Sequence, residues 1–348
     1  MLSRSLGAIP LETTVLGFGA SAIGGLYRAV SRDAAFETME AAWNAGIRYF
    51  DTAPFYGFGL SERRVGDFLR GRNDYVLSTK VGKLLSPVPE SEIPNYGFVD
   101  PLSFKVDYDY RYDAIMRSYE FSLARLGLPR IDILYVHDLE IRSLGAEAYK
   151  KHFRDFMDGG IRALEELKRG GSITAIGLGC NDVDACLDVL SRAPLDCLLL
   201  AGRYTLLDRS AAARLLPMCV KSRVALVVGG AFNSGILATG PTLDARFDYS
   251  TPSKDIIERV RCMQATAEDV GISLAAAALQ FPLLQPNVAS VLVGTAKPLN
   301  IIRDVALLHT QVPSSIWPRF ESFALSAKPS ATSHYRTALP IEGPTGST

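Results

Sequence analysis

The chain has 348 residues, 48% hydrophobic and 21% charged, the balance of an ordinary globular protein with a packed core. Lysine plus arginine equal aspartate plus glutamate at 37 each, so no global field favours nucleic acid or an anionic membrane surface as a partner. No apolar run reaches the roughly 18 to 20 residues of a spanning helix, and the first residues lack the apolar core of a secretory signal.

The cysteines Cys180, Cys186, Cys197, Cys219 and Cys262 are odd in number and form no C-x-x-C pair, which predicts reduced thiols and a cytoplasmic location. The histidines His137, His152, His309 and His334 are scattered without ligand spacing, so no metal site is expected.

Taken in chain order, short apolar runs alternate with amphipathic stretches. "VLGFGAS" precedes a helical pattern over 31–45, "IRYFDTA" one over 61–70, "YVLSTKVG" one over 112–126 and "IDILYVHD" one over 160–169. "ITAIGLGCN" precedes 183–192, "DCLLLAG" 209–220, "VALVVGG" 254–270 and "VASVLVG" 299–308. Near-continuous apolar strands need cover on both faces, and strictly alternating helices imply parallel crossovers. Eight such units predict an α/β fold: a closed (β/α)8 TIM barrel, one domain over 1–348 with its core at about 15–310 and a C-terminal loop and tail over 311–348. The competing doubly wound sheet calls for G-x-G-x-x-G, and "GFGASAIGG" has no third glycine at that offset.

Two connections are long, 83–110 and 139–159. Both leave strand C-termini, the face where barrels place their chemistry, so they are expected to wall a substrate pocket. The Ser-, Thr- and Pro-rich stretch 328–348 reads as a mobile tail or one draped on that face.

On the same face Asp51 ends the second strand, Lys80 the third and His137 the fourth, with Tyr56 five residues past Asp51. A buried aspartate needs a partner, and Lys80 is the expected one. A tyrosine titrates near 10 when free, and an adjacent ammonium is expected to lower that value. A neutral His137 would then orient the substrate oxygen against the Tyr56 hydroxyl. Each residue alone has ordinary structural uses as cap, surface pair or core histidine. Together they form an acid/base set that still lacks a redox centre.

"GIRYFDTAPFYGFGLSERRVGDFLRG", "YVLSTKVG" and "SLARLGLPRIDILYVHDLE" resemble the aldo-keto reductase superfamily over about residues 15–310. The match is D-T-A-x-x-Y-G with a following S-E, then S-T-K, then a strand ending in His. The resemblance implies a barrel that moves hydride between NAD(P)H and a carbonyl or alcohol, with catalytic residues Asp51, Tyr56, Lys80 and His137 and tyrosine as general acid/base. It also implies a nicotinamide cofactor laid across the C-terminal face.

For that cofactor the family's strand-end I-G-x-S-N corresponds to "IGLGCN", which points to Asn181. The family's glutamine on the next strand is absent from "LLLAGRYTLLDR". Its stacking aromatic is replaced by Gly229 and Gly230 in "VVGGAFNSGIL", where Phe232 is the ring expected to compensate, alongside Asn233 and Gly235. After the last strand the expected contacts are Gly294, Thr295, Lys297 and Asn300, at a helix N-terminus that can receive a phosphate. Lys297 is the nearest cation of that turn, which favours NAD, with NADP open through Lys297 or Arg303.

The flavour of "DTAPFYGFGLSERRVG" and "GGAFNSGIL" resembles the branch of D-threo-aldose 1-dehydrogenases, L-galactose dehydrogenase and pyridoxal 4-dehydrogenase. That resemblance implies oxidation of a cyclic hemiacetal to a lactone, with a sugar or pyridoxal-like small molecule as partner. The rings Tyr96, Phe98, Phe104, Tyr108 and Tyr110 of the third loop are candidate stacking faces. A general NADPH-dependent aldehyde reductase and a cofactor-binding channel regulator are the alternatives.

Overall fold

The computed structural model describes residues 1–325. Eight parallel strands close a barrel in sequence order. They are β1 (Leu16–Gly19), β2 (Tyr49–Asp51), β3 (Val76–Val81), β4 (Ile133–His137), β5 (Ala175–Cys180), β6 (Cys197–Ala201), β7 (Ala225–Gly229) and β8 (Val288–Val293). β8 pairs back to β1 through Val291 and Leu16, which leaves the barrel sheet without an edge.

Two apolar layers hold it. Inside the barrel, Tyr49, Tyr135, Cys197, Leu199, Val227 and Leu292 pack together, and Leu6 is buried among them. Gly177 is required in that interior, since a Cβ there would meet the Tyr135 ring at 2.3 Å. The larger layer lies between strands and helices and includes Phe18, Phe50, Leu134, Leu178 and Val228.

The helices form where periodic apolar faces follow a cap. The Ser31 hydroxyl accepts the Ala34 N–H to start Arg32–Asn44, and Asp182 accepts two N–H groups to start Val183–Leu190. The helix expected over 209–220 begins only at Leu215 and runs to Ser222. Residues ahead of it are held in a turn, where Asp208 N–H donates to Thr205 Oγ1 and its carboxylate receives Ser210 N–H.

The long connection after β3 contains an antiparallel hairpin, Lys83–Pro87 with Phe104–Tyr108. The one after β4 carries helices Ile141–Leu144 and Ala146–Asp155. A further hairpin, Ser3–Ser5 with Glu12–Thr14, precedes the barrel. At the other end the folded chain extends past 310: Ser314–Phe323 buries Ile316, Trp317 and Phe320. Stretch 328–348 lies outside the described residues. Among the described residues no helix is long and apolar enough to cross a membrane, and no group of metal-ligating side chains gathers.

Candidate active site

The strand order places the C-termini of β2, β3 and β4 side by side, which brings together residues 29 and 86 positions apart. Asp51 ends β2, 2% exposed, and its Oδ2 lies 2.6 Å from Lys80 Nζ, which also donates to the Thr52 carbonyl at 2.8 Å. Asp51 Oδ1 accepts from the Ser78 hydroxyl, whose oxygen lies 3.1 Å from the Tyr49 hydroxyl, and Tyr49 in turn meets Tyr135 at 3.1 Å inside the barrel. The carboxylate is thus anchored from below and paired from the side.

Lys80 Nζ stands 4.9 Å from the centroid of the Tyr56 ring, and that ring meets His137 edge-on at 5.9 Å. All four expected residues therefore meet in one cluster. Burial pulls the Lys80 ammonium below its ordinary value, with the Asp51 charge opposing, while burial pushes Asp51 up, with Lys80 opposing. His137 is held well below its ordinary value by burial, so the imidazole is neutral at pH 7. Its Nδ1 is buried without a hydrogen-bond partner among the described residues, and its Nε2 lies 3.4 Å from Asp138 Oδ2.

One electrostatic expectation is corrected. Tyr56 is not lowered by Lys80: burial pushes the phenol well above its ordinary value, and the Asp51 and Asp138 charges add to that. The physical reason is that Lys80 is already neutralised at 2.6 Å by Asp51, so the pair presents little net positive charge to the phenol.

The motif residues between these four have their own work. Thr52 and Ser61 share a 2.8 Å hydrogen bond, and Ser61 donates to the Ala20 carbonyl. Glu62, fully buried, accepts from Thr79 at 2.7 Å and from Arg125 Nε at 2.5 Å. These bonds fasten helix Leu60–Leu69 to β1, β2 and β3, and so fix the loop that carries Tyr56.

Above the pocket Phe55 meets Tyr96 at 5.3 Å, Phe98 at 5.4 Å and His137 at 5.9 Å. Phe98 also lines a groove of about 790 Å³ that includes Tyr27 and Arg246. Of the rings expected to stack, Tyr110 is excluded: it is wholly buried and donates its hydroxyl to the His137 carbonyl at 2.6 Å. It braces the end of β4 instead.

The residues expected to hold a cofactor fall on the remaining arc, β5 to β8. Asn181 follows β5, its N–H donating to Glu140 and its amide to Tyr249 at 3.4 Å. Gly229 ends β7, followed by half-buried Phe232. Asn233 is buried and engaged inside the protein, accepting from Thr205 at 2.6 Å and donating to the Gly202 carbonyl, so it ties the β7 loop to the β6 loop. Gly235 sits at φ +102°, a conformation that requires glycine. After β8, Gly294 and Lys297 are exposed, and Thr295 Oγ1 accepts from Lys297 N–H and Asn300 Nδ2 at 3.1 Å each. Helix Pro298–Leu308 begins there without a side-chain cap, so its first turn keeps the capacity to receive an anion. On this arc that uncapped first turn is the feature that suits a dinucleotide phosphate.

Sequence reasoning missed the clasp that joins these loops. Asp248 pairs with Arg142 from the β4 loop and with Arg203 from the β6 loop, and Arg203 Nε also donates to the Asn181 carbonyl. Lys83 and Asp138 were also missed; they form a buried pair at 2.5 Å beside His137. A charge directly after a strand-ending histidine was their only signal.

A barrel with an Asp, Tyr, Lys and His set at the ends of adjacent strands defines a class of oxidoreductase, and the comparisons agree. The sequence profile of the Aldo/keto reductase family matches residues 15–324, and the chain belongs to that family. It is 41% identical to the pyridoxal 4-dehydrogenase of Microbacterium luteolum, covering 92% of this chain and 97% of that one. It is 37% identical to a D-threo-aldose 1-dehydrogenase of a Pseudomonas species at the same coverage, and 29% identical to the L-galactose dehydrogenase of Arabidopsis thaliana, over 87% of this chain and 86% of that one. The holo form of an aldo-keto reductase from Bacillus halodurans superposes with a TM-score of 0.75 at 24% identity, over 94% of this chain and 97% of that one. The protein is an oxidoreductase of this family, whose members use nicotinamide cofactors.

Proposed function

We propose that the enzyme oxidises the cyclic hemiacetal of an aldose of the L-fucose, D-arabinose or L-galactose type to a lactone, with NAD as acceptor. The observation that carries this reading is the catalytic set beneath the ring wall of Phe55, Tyr96 and Phe98, joined to relatives that act on aldoses and on pyridoxal.

A neutral His137 orients the substrate hydroxyl, and Tyr56, once its own proton has left, takes the substrate proton as the carbon–oxygen bond becomes a carbonyl. Bound nicotinamide supplies the acceptor for the hydride leaving the same carbon. Asp51 and Lys80 form a paired, buried support under Tyr56. Asn181, Gly229, Phe232, Asn233 and Gly235 are proposed to shape the nicotinamide and ribose end, and Gly294, Thr295, Lys297 and Asn300 the adenosine end. NAD over NADP is supported by the β8 turn, where Lys297 is exposed and Arg303 is engaged with Asp304 at 3.5 Å: a 2′-phosphate needs concentrated positive charge.

Pyridoxal is the second reading, supported by the 41% identity and by the aromatic wall, which suits a pyridine ring. The test is the growth of NADH or NADPH absorbance with purified protein and a panel of L-fucose, D-arabinose, L-galactose, pyridoxal and simple alcohols. NAD-linked oxidation of an aldose supports the first reading and of pyridoxal the second. Silence with all of them, together with NADPH consumption by simple aldehydes, overturns both.

A further inference from the structure

His137 is followed by a charged residue that the chemistry above does not use. Asp138 stands in the left-handed region at φ +50°, a conformation few side chains adopt and one that concentrates at functional sites. Its N–H is tied to the Gly179 carbonyl at 2.8 Å. The carboxylate lies against the catalytic histidine, with Oδ2 at 3.4 Å from His137 Nε2 and 2.5 Å from Lys83 Nζ. Lys83 is buried in turn, its ammonium 4.2 Å from the Phe55 ring centroid and 5.5 Å from that of Tyr108.

Burial alone would raise the Asp138 carboxyl, and its hydrogen-bonded pairing with the Lys83 ammonium outweighs that, so the group is held below its ordinary value and ionised. An ionised carboxylate only accepts hydrogen bonds. Both protein groups approach Oδ2, and the side chain keeps 20% exposure beside residues that are almost closed off. A purely structural purpose is poorly served by such a pair, because desolvating two charges offsets most of their attraction. The His137 backbone is in any case already held by the β4–β5 ladder and by Tyr110.

We propose that Asp138 is a specificity-determining residue that accepts a hydrogen bond from the substrate hydroxyl on the carbon next to the reacting one. The inference rests on the proposed aldose reaction. Oxygens on adjacent carbons are separated by about one hydrogen-bond length. A substrate whose reacting oxygen meets His137 Nε2 therefore presents its neighbouring hydroxyl to the carboxylate beside that nitrogen. Lys83 keeps the acceptor charged and fixed.

The test uses the whole enzyme, NAD, and a matched pair of substrates: an aldose and its 2-deoxy counterpart. A site built to bind a hydroxyl rejects the analogue lacking it by large factors, so the wild type is expected to favour the aldose by about 100-fold or more in kcat/KM. Asp138→Asn is expected to lower kcat/KM for the aldose by about 100-fold while changing the 2-deoxy sugar less than about threefold, so that the preference collapses. Should that variant fail to fold, Asp138→Asn combined with Lys83→Met leaves no unpaired charge and is expected to show the same collapse. Equal losses on both sugars, or a wild type without preference, overturn the proposal. If the wild type oxidises no aldose but reduces simple aldehydes, the proposed reaction falls by itself. The Asp138 inference is then read on glyceraldehyde against propanal, where retention of the preference in the variant overturns it and its collapse supports it.

Discussion

Lys80 Nζ and Asp51 Oδ2 meet at 2.6 Å with both side chains 3% exposed or less, so neither charge has water to fall back on. Removing one partner strands the other in the interior, which costs about 3–5 kcal/mol, whereas replacing both by apolar groups is far milder. Lys80→Met and Asp51→Asn are each expected to lose stability on that scale in urea unfolding, and the double variant to recover a large part of it. Single losses that simply add in the double variant contradict the pairing.

Tyr56 is held protonated by its surroundings, since burial and the neighbouring carboxylates push it above its ordinary value. A protonated phenol suits reduction, and oxidation needs the proton to leave. The oxidation rate is therefore expected to climb through the alkaline range, and the rate of the reverse reaction to hold or fall. Steady-state pH profiles of kcat in both directions check this; an oxidation optimum near pH 6 contradicts it.

The Glu62–Arg125 pair predicts a stability loss without a change in chemistry. Glu62 has no exposed side-chain surface and takes Arg125 Nε at 2.5 Å. Arg125→Met leaves that carboxylate unpaired apart from Thr79, and about 3 kcal/mol of destabilisation is expected in chemical unfolding. The kcat of the folded variant below its melting temperature is expected within about threefold of the wild type.

Asp304 offers a pH-dependent case. Its carboxyl is raised by burial to about 6, with Arg303 at 3.5 Å opposing weakly. A group raised in the folded state holds its proton there, so its favourable contribution is complete below the unfolded value and is lost as pH rises through about 6. A shift of that size is worth at most about 3 kcal/mol. Asp304→Asn is expected to raise the melting temperature at pH 8 and to leave it unchanged at pH 4. A gain of equal size at both values contradicts the assignment.

The eight barrel strands were legible in the sequence because most are short, mainly apolar runs closed by turn signals, the pattern of strands covered on both faces, with polar residues such as Asp51, Lys80 and His137 gathered toward their C-terminal ends. The meeting of Asp51, Tyr56, Lys80 and His137 was legible because strand ends in a barrel converge whatever their separation in the chain. Helix Leu274–Gln280 was not, because "LAAAALQ" is buried almost all round and carries no period. The hairpin after β3 was hidden as well, its short strands separated by 16 residues instead of a tight turn. The Lys83–Asp138 pair and the Asp248 clasp depend on where long loops fold back, which no local pattern encodes.

The measurement that bears most directly on the central claim is turnover by Tyr56→Phe, paired with cofactor titration of the same sample. Loss of the proton acceptor is expected to lower kcat by about 100-fold or more, with cofactor affinity and melting temperature kept. A kcat within about threefold of the wild type would contradict the account, because the proton would then be leaving by another group.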